Sequence, residues 1–148
     1  MVDHIRKQIR DAAVTDLTGL ATTGAHVFTG RFGPLAASEL PGWLVRLHEE
    51  QGDFGAIGKI ERNGNLLLEG VAQGNDVEDV LDAMAAEAEA ALYAANGTMR
   101  ALLMNIGAPI TAIELPEPGE GAVSATGRIR MLIPLTYRTA ESVPTVKA

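Results

Sequence analysis

The stretch Arg128–Thr139, reading Arg-Ile-Arg-Met-Leu-Ile-Pro-Leu-Thr-Tyr-Arg-Thr, constrains this chain most. Ile129, Met131, Ile133, Leu135 and Tyr137 recur at every second position, with Arg128, Arg130, Thr136 and Arg138 between them. Successive side chains of a strand point to opposite faces, so this period of two predicts a strand with one buried face. At roughly 3.3 Å per residue it would cross a whole sheet. Pro134 has no N–H to give to a ladder, which predicts that the strand lies at an edge or is bulged there. Its apolar face needs cover, and the chain supplies two helices.

The first helix is expected over Asp3 to Leu20, where Ile5, Ile9, Ala12, Ala13, Leu17 and Leu20 keep the i, i+3, i+4 rhythm. Arg6, Lys7 and Arg10 occupy its outer side. Positive charge in the first turns opposes the helix dipole, by only tenths of a kcal/mol each. Those three residues read either as a solvated face or as a docking surface for an acidic neighbour. The second helix opens at Asn75-Asp76 and runs to about Ala95. Asn75 or Asp76 can accept from the free N–H groups at its start, and Glu78, Asp79 and Asp82 suit the positive end of its dipole. Val77, Val80, Leu81, Met84, Ala85, Ala88, Ala91 and Leu92 form its apolar stripe, and Asn96-Gly97 is its stop.

Shorter strands are expected at Ala25–Thr29, Trp43–His48 and Ile110–Leu115, with an acidic loop over Glu49–Asp53 and a short helical turn over Met99–Met104. Asn63-Gly64 is a favoured pair for a two-residue turn with positive φ at both positions, so a hairpin is expected there with arms Ile57–Glu61 and Leu66–Gln73. Pro116 to Gly127 reads as a long loop. The reading is a single domain over residues 1–141 followed by a flexible tail over 142–148. Its class is α+β (mixed α/β): a mixed, largely antiparallel sheet with two main helices packed on one face. The strand order is not readable.

The sequence offers little chemistry. With no cysteine, disulfides and thiolate sites are excluded. A net charge of -7 disfavours sequence-independent binding to DNA phosphates. No apolar run reaches the ~18 residues of a membrane span, and the N-terminus lacks a secretory pattern. Gly52–Lys59 superficially resembles a phosphate loop, but the spacing to Gly58-Lys59 is one residue too long and Ile60 stands where a hydroxyl is needed. His4, His26 and His48 lack metal-like spacing, and no serine sits in a Gly-x-Ser-x-Gly elbow. No catalytic residue, metal site or cofactor is therefore expected, although paired carboxylate chemistry stays open.

Three stretches carry a family resemblance. They are His4-Ile5-Arg6 through Leu17-Thr18-Gly19-Leu20, then Thr23-Gly24-Ala25-His26-Val27-Phe28 leading into Pro34-Leu35 and Glu39-Leu40-Pro41, and finally Leu135-Thr136-Tyr137-Arg138-Thr139-Ala140-Glu141. With the Leu81–Leu92 helix between them, they resemble the tail terminator (minor tail protein) family of long-tailed bacteriophages. The resemblance covers most of the chain and carries no catalytic signature. It implies a structural virion protein, not an enzyme, that closes into a hexameric ring on the head-proximal end of the tail. Such a ring stops tube polymerisation and offers a surface for head joining. The implied partners are further copies of itself, the tail tube protein and a head-completion or connector protein, with DNA passing through the lumen without specific binding. The implied location is the virion tail, and the host cytoplasm during assembly. Two hypotheses name residues: Arg6, Lys7 and Arg10 as a subunit contact, and Glu49, Glu50, Asp53, Glu117 and Glu120 as lumen-lining acids. Another neck or head–tail joining component is the alternative within the virion, and a small α/β enzyme is the alternative from a different class.

Overall fold

Two helices and one mixed seven-stranded sheet account for the regular structure in a computed structural model, which describes residues 3–116 and 125–147. The helices are α1 (Ile5–Leu17) and α2 (Val77–Leu92). The strands are β1 (Val27–Thr29), β2 (Gly42–Ala56), β3 (Lys59–Gln73), β4 (Asn105–Ile106), β5 (Ile110–Glu114), β6 (Thr126–Ala140) and β7 (Val143–Lys147). β1 pairs with β2 in parallel, and every other pairing is antiparallel. The order runs β1-β2-β3-β6, and β4, β5 and β7 share the far side of β6.

β6 contains the alternating stretch, and its alternation is realised: Ile129, Met131, Ile133, Leu135 and Tyr137 are buried. They join one hydrophobic cluster with Leu66, Leu68 and Ala72 of β3, Trp43 and Val45 of β2, Ile5, Ile9, Ala13 and Leu17 of α1, and Leu81, Met84, Ala88 and Leu92 of α2. The apolar spacing of both helices therefore turns into burial at most of the expected positions, while Val80, Ala85 and Ala91 are half-buried and Leu20, beyond the end of α1, is half-buried too. Two glycines set how closely α2 approaches the sheet. A Cβ at Gly127 would lie 2.7 Å from Val77 Cγ2, and one at Gly70 would lie 2.9 Å from Met84 Cε. Asp16 of α1 ties down the next segment: its carboxylate accepts from the N–H groups of Thr98 and Met99, both at 2.9 Å. A 3₁₀ turn, Arg100–Leu102, follows where a short helical turn was expected.

Several expectations are corrected. β6 is not an edge strand, and its register with β3 runs without a shift past Asn65↔Pro134. The Pro134 carbonyl accepts from the Gly107 N–H at 2.8 Å, so the polar edge of Pro134 faces the β4–β5 connection. The missing donor thus falls where the outer ladder is interrupted between β4 and β5, and costs no strand pairing.

Asn63-Gly64 is not a turn either. It lies inside β3, where Gln51↔Asn63 and Glu50↔Gly64 pair, and the two-residue turn is Ile57-Gly58. Only Gly58, with φ 76°, has positive φ there. Gly64 serves close approach instead: a Cβ on it would meet the Glu49 carbonyl at 3.0 Å and the Tyr137 hydroxyl at 3.3 Å.

The acidic stretch Glu49–Asp53 is part of β2, not a loop, because β3 continues far enough to satisfy its backbone. A bulge at Glu49, whose φ is 57°, shifts the register between His48 and Glu50. The segment expected as a flexible tail forms β7 on β6 through Thr139↔Lys147 and Ala140↔Val143. Gln8 Nε2 of α1 donates to the Thr145 carbonyl at 2.7 Å and holds that strand. Asp76 stands at the α2 N-cap without a side-chain capping bond. Of the expected Pro116–Gly127 loop, residues 117–124 lie outside the described residues, and Thr126 and Gly127 belong to β6.

Candidate functional site

The bulge at Glu49 has a chemical consequence. Without it, alternation along β2 would turn Glu49 toward the core face after Trp43, Val45 and Leu47. With one residue inserted, Glu50 faces inward instead, opposite Gly64. There its Oε1 accepts from the Tyr137 hydroxyl, and its Oε2 accepts from Arg62 Nη1 at 3.0 Å and Arg6 Nη1 at 3.4 Å. The Glu50 and Arg62 side chains are only 11% and 13% exposed. Arg62 Nε donates onward to the Thr139 hydroxyl at 3.1 Å. Burial, and then the bond to Glu50, hold the Tyr137 hydroxyl far above its ordinary pKa. Both carboxylate oxygens are engaged and the phenol stays protonated. This knot therefore fixes the start of α1 to the far half of the sheet, with both Glu50 oxygens accepting hydrogen bonds.

His4 caps α1 beside the knot. Its Nδ1 accepts from the Arg6 N–H at 3.1 Å, which requires the unprotonated ring nitrogen. Burial, then the charges of Arg6 and Arg62, lower its pKa from the ordinary 6.5, while Glu50 acts in the opposite direction. A lowered folded-state pKa gives stability that is complete above 6.5 and is lost as pH falls through the lowered value. We expect acidification across that window to remove up to about 1 kcal/mol through His4, the worth of a cap. His4→Ser, which caps without titrating, should flatten this part of the pH profile in denaturant titrations.

The structure distributes the other sequence-nominated residues. Lys7 bridges two carboxylates, Asp3 just before α1 at 2.9 Å and Asp11 within it at 2.8 Å. With Arg6 on Glu50, two of the three basic side chains on α1 already have partners within the chain. Arg10 borders a recess of about 270 Å³ beside Arg31, Phe32 and Arg46, and its buried Nε has no hydrogen-bond partner among the described residues. Glu49 is exposed and lies 3.9 Å from His48. Asp53 is exposed on the outer part of β2, whereas Glu50 is enclosed and paired. Glu117 and Glu120 lie outside the described residues. The glycine-rich Gly52–Lys59 stretch is the tip of the β2–β3 hairpin.

Surface chemistry gathers at three projections. The first is the loop between β1 and β2, which the Arg31–Glu39 pair braces with contacts of 2.8 and 3.0 Å. Glu39 also accepts from the Ala36 N–H at 2.8 Å, and the Arg31 guanidinium lies 4.9 Å over the Phe28 ring. On this braced loop Phe32 is 98% exposed. The second is the hairpin tip, with Phe54 at 74% and Ile57 fully exposed. The third is β5, whose residues are all exposed, with Ile110 at 64%. Among the described residues β5 pairs only with β6, so no described strand covers its other edge. A groove of about 610 Å³ runs along the sheet beside the braced loop, lined by Leu35, Leu40, Leu44 and Val71 with Arg46, Glu69 and Arg128.

Among the described residues no group of three or more His, Asp or Glu is placed to hold a metal ion, and no helix is long and apolar enough to cross a membrane. The arrangement is that of a two-helix, mixed-sheet protein whose chemically distinctive surface consists of edges and projections. No protein-family model matches the sequence, and no curated protein matches it.

Proposed function

We propose that this chain is the ring-forming subunit of a tail terminator, which caps the tail tube, stops its growth and presents a surface for head joining. The observation that carries this reading is the placement of large apolar side chains on outward projections. Phe32, Phe54, Ile57 and Ile110 are exposed on a braced loop, a hairpin tip and strand β5. Phe54 and Ile57 share the hairpin tip, and exposed apolar groups gathered on one projection mark a surface that becomes buried on association. Among the described residues the sheet also ends in two dissimilar sides, β1 on β2 at one and β4, β5 and β7 along β6 at the other. Unlike edges favour a head-to-tail contact, and such a contact closes into a ring when its rotation permits.

The reading takes both helices to cover one face, since α1 and α2 bury their apolar stripes in the same cluster. The opposite face is then left for partners. The resemblance in the N-terminal helix, the Thr23–Pro41 region and the Leu135–Glu141 end supports the same role. Of the nominated acids, Glu49 and Asp53 remain available to line a passage for DNA, and Glu50 is withdrawn into the fold.

The test is tube growth. Tail tube subunits polymerising with this protein present should stop at shorter lengths in electron micrographs, with extra density at one end. Phe54→Asp combined with Ile57→Asp should abolish capping without lowering the melting temperature, because both side chains are exposed. Tubes that elongate normally beside the wild-type protein overturn the reading. Binding to the portal side of heads in their place would assign a joining role.

A further inference from the structure

We infer that the outer ridge of α2 and the face of the sheet opposite it are the two halves of one contact between copies of this chain. This rests on the reading of the chain as a self-assembling subunit, and it names the surfaces that meet.

α2 carries five carboxylates and no lysine or arginine in the span VEDVLDAMAAEAEAAL. Glu78, Asp79, Asp82 and Glu89 are exposed, and none has an ion-pair partner among the described residues. Ala83, Ala86 and Ala90 are exposed between them. The ridge is thus acidic and low, and alanines let a flat surface approach closely.

The opposite face of the sheet has the complementary character. Cross-strand register places Leu44, Glu69, Arg130 and Ala112 in one row, and Arg46, Leu67, Leu132 and Ile110 in the next. Arg128 follows, beside Val71 and Glu114. A single carboxylate, Glu69, lies between two guanidiniums, 3.6 Å from Arg130 and 4.0 Å from Arg46. Among the described residues these rows hold three arginines against Glu69 and Glu114, a locally positive patch on a chain of net charge -7; further along the same face Arg138 is already paired with Glu61 at 3.1 Å. Half-buried Leu67, Val71 and Leu132 lie among them, while Leu44 is already buried within the chain; three such leucine and valine side chains are more apolar content than a solvated sheet face requires.

α2 packs against the core face of β3 and β6, so its ridge and the arginine face point away from each other. One copy cannot bring them together, but two copies stacked in the same sense can. The occupant of the arginine face is therefore the α2 ridge of a second copy. Charge complementarity across such a contact sets orientation and excludes like-on-like pairing. The contact is heterologous, as a ring requires.

Two reversed proteins test this. One carries Arg128→Glu and Arg130→Glu, and the other carries Asp82→Arg and Glu89→Arg, with circular dichroism and thermal melts to confirm that each is folded. Sedimentation of the wild-type protein at low salt should show concentration-dependent assembly that weakens as salt is added. Each reversed protein alone should associate about tenfold or more weakly, since like charges then meet. An equimolar mixture should regain the wild-type mass, because every alternating contact again joins opposite charges. A monomeric wild-type protein, reversed proteins of wild-type mass, or a mixture that stays dissociated would each overturn the inference. The two readings fail separately. If charge behaviour is as expected while tubes elongate freely, capping is wrong and the contact stands. If tubes are capped and the reversed proteins still assemble, the contact is wrong and capping stands.

Discussion

Glu50→Ala should cost about 3 kcal/mol of folding stability, the scale of breaking an enclosed ion pair by removing one partner. Glu50 accepts from Tyr137, Arg62 and Arg6, and the substitution strands the two enclosed donors, Tyr137 and Arg62, while half-exposed Arg6 turns to water. Arg62, almost enclosed, keeps its charge without a counterion, and the buried Tyr137 hydroxyl loses its acceptor. Tyr137→Phe removes one donor and leaves Glu50 held by two arginines, so it should cost only about 1–2 kcal/mol. For a domain of this size each kcal/mol corresponds to a shift of about 2–4 °C in Tm. Urea titrations and melts of both variants check the order. Glu50→Ala proving as mild as Tyr137→Phe would show that the knot is looser than its geometry implies. Arg62→Ala in the Glu50→Ala background should recover part of the loss, because it removes the stranded charge.

Gly70→Ala should also destabilise, by about 1–3 kcal/mol, although glycine to alanine in extended backbone ordinarily favours folding. The reason is local. A Cβ at residue 70 would lie 2.7 Å from Ile129 Cγ2, 2.7 Å from Trp43 Cζ3 and 2.9 Å from Met84 Cε. Those three side chains belong to β6, β2 and α2 and are all buried, so relieving the overlap moves elements on two sides of the core. Gly70→Val should be worse. Met84→Ala in the Gly70→Ala background should cost less than the sum of the two changes, because the cavity left by one accepts the methyl of the other. A Gly70→Ala protein more stable than wild type would mean that β3 and α2 are further apart than described.

Gly70 and Gly64 show why glycines in this sequence are hard to assign. Both occupy the core-facing row of β3, where Gly70 makes room for the Trp43 ring and Gly64 for Tyr137 and the bulged backbone at Glu49. Gly64 follows an asparagine, and as a sequence pair Asn63-Gly64 favours a turn. Nothing local distinguishes that use from a gap left for a neighbour's side chain. Ile57-Gly58 is a weaker turn signal, yet it closes the hairpin because it lets fifteen-residue β2 and β3 pair along almost their whole lengths. The β7 segment was illegible for a related reason. Its short run around Pro144 has little strand character alone and is held by the end of β6 and by Gln8 of α1.

The candidate site was read unevenly. The acidic stretch Glu49–Asp53 was recognisable as chemistry, but the division of labour within it was not. Tyr137 gave a partial hint, since a tyrosine on the buried face of a strand needs a partner for its hydroxyl. The identity of that partner depended on a one-residue bulge. Arg6 and Lys7 looked alike as outward basic residues, and their different fates, Glu50 for one and Asp3 with Asp11 for the other, follow from what lies beneath each.

By itself the sequence determined the periodicities: the two-residue alternation of β6, the apolar stripes of α1 and α2, and hence which side chains of those elements enter the core. These are local properties, written in the spacing of residues along one element. The tertiary structure alone decided register, the position of the hairpin turn, the central place of β6 despite Pro134, and the inward turn of Glu50. Each of these depends on a strand or helix distant in sequence, and a slip of a single residue exchanges the two faces of a strand.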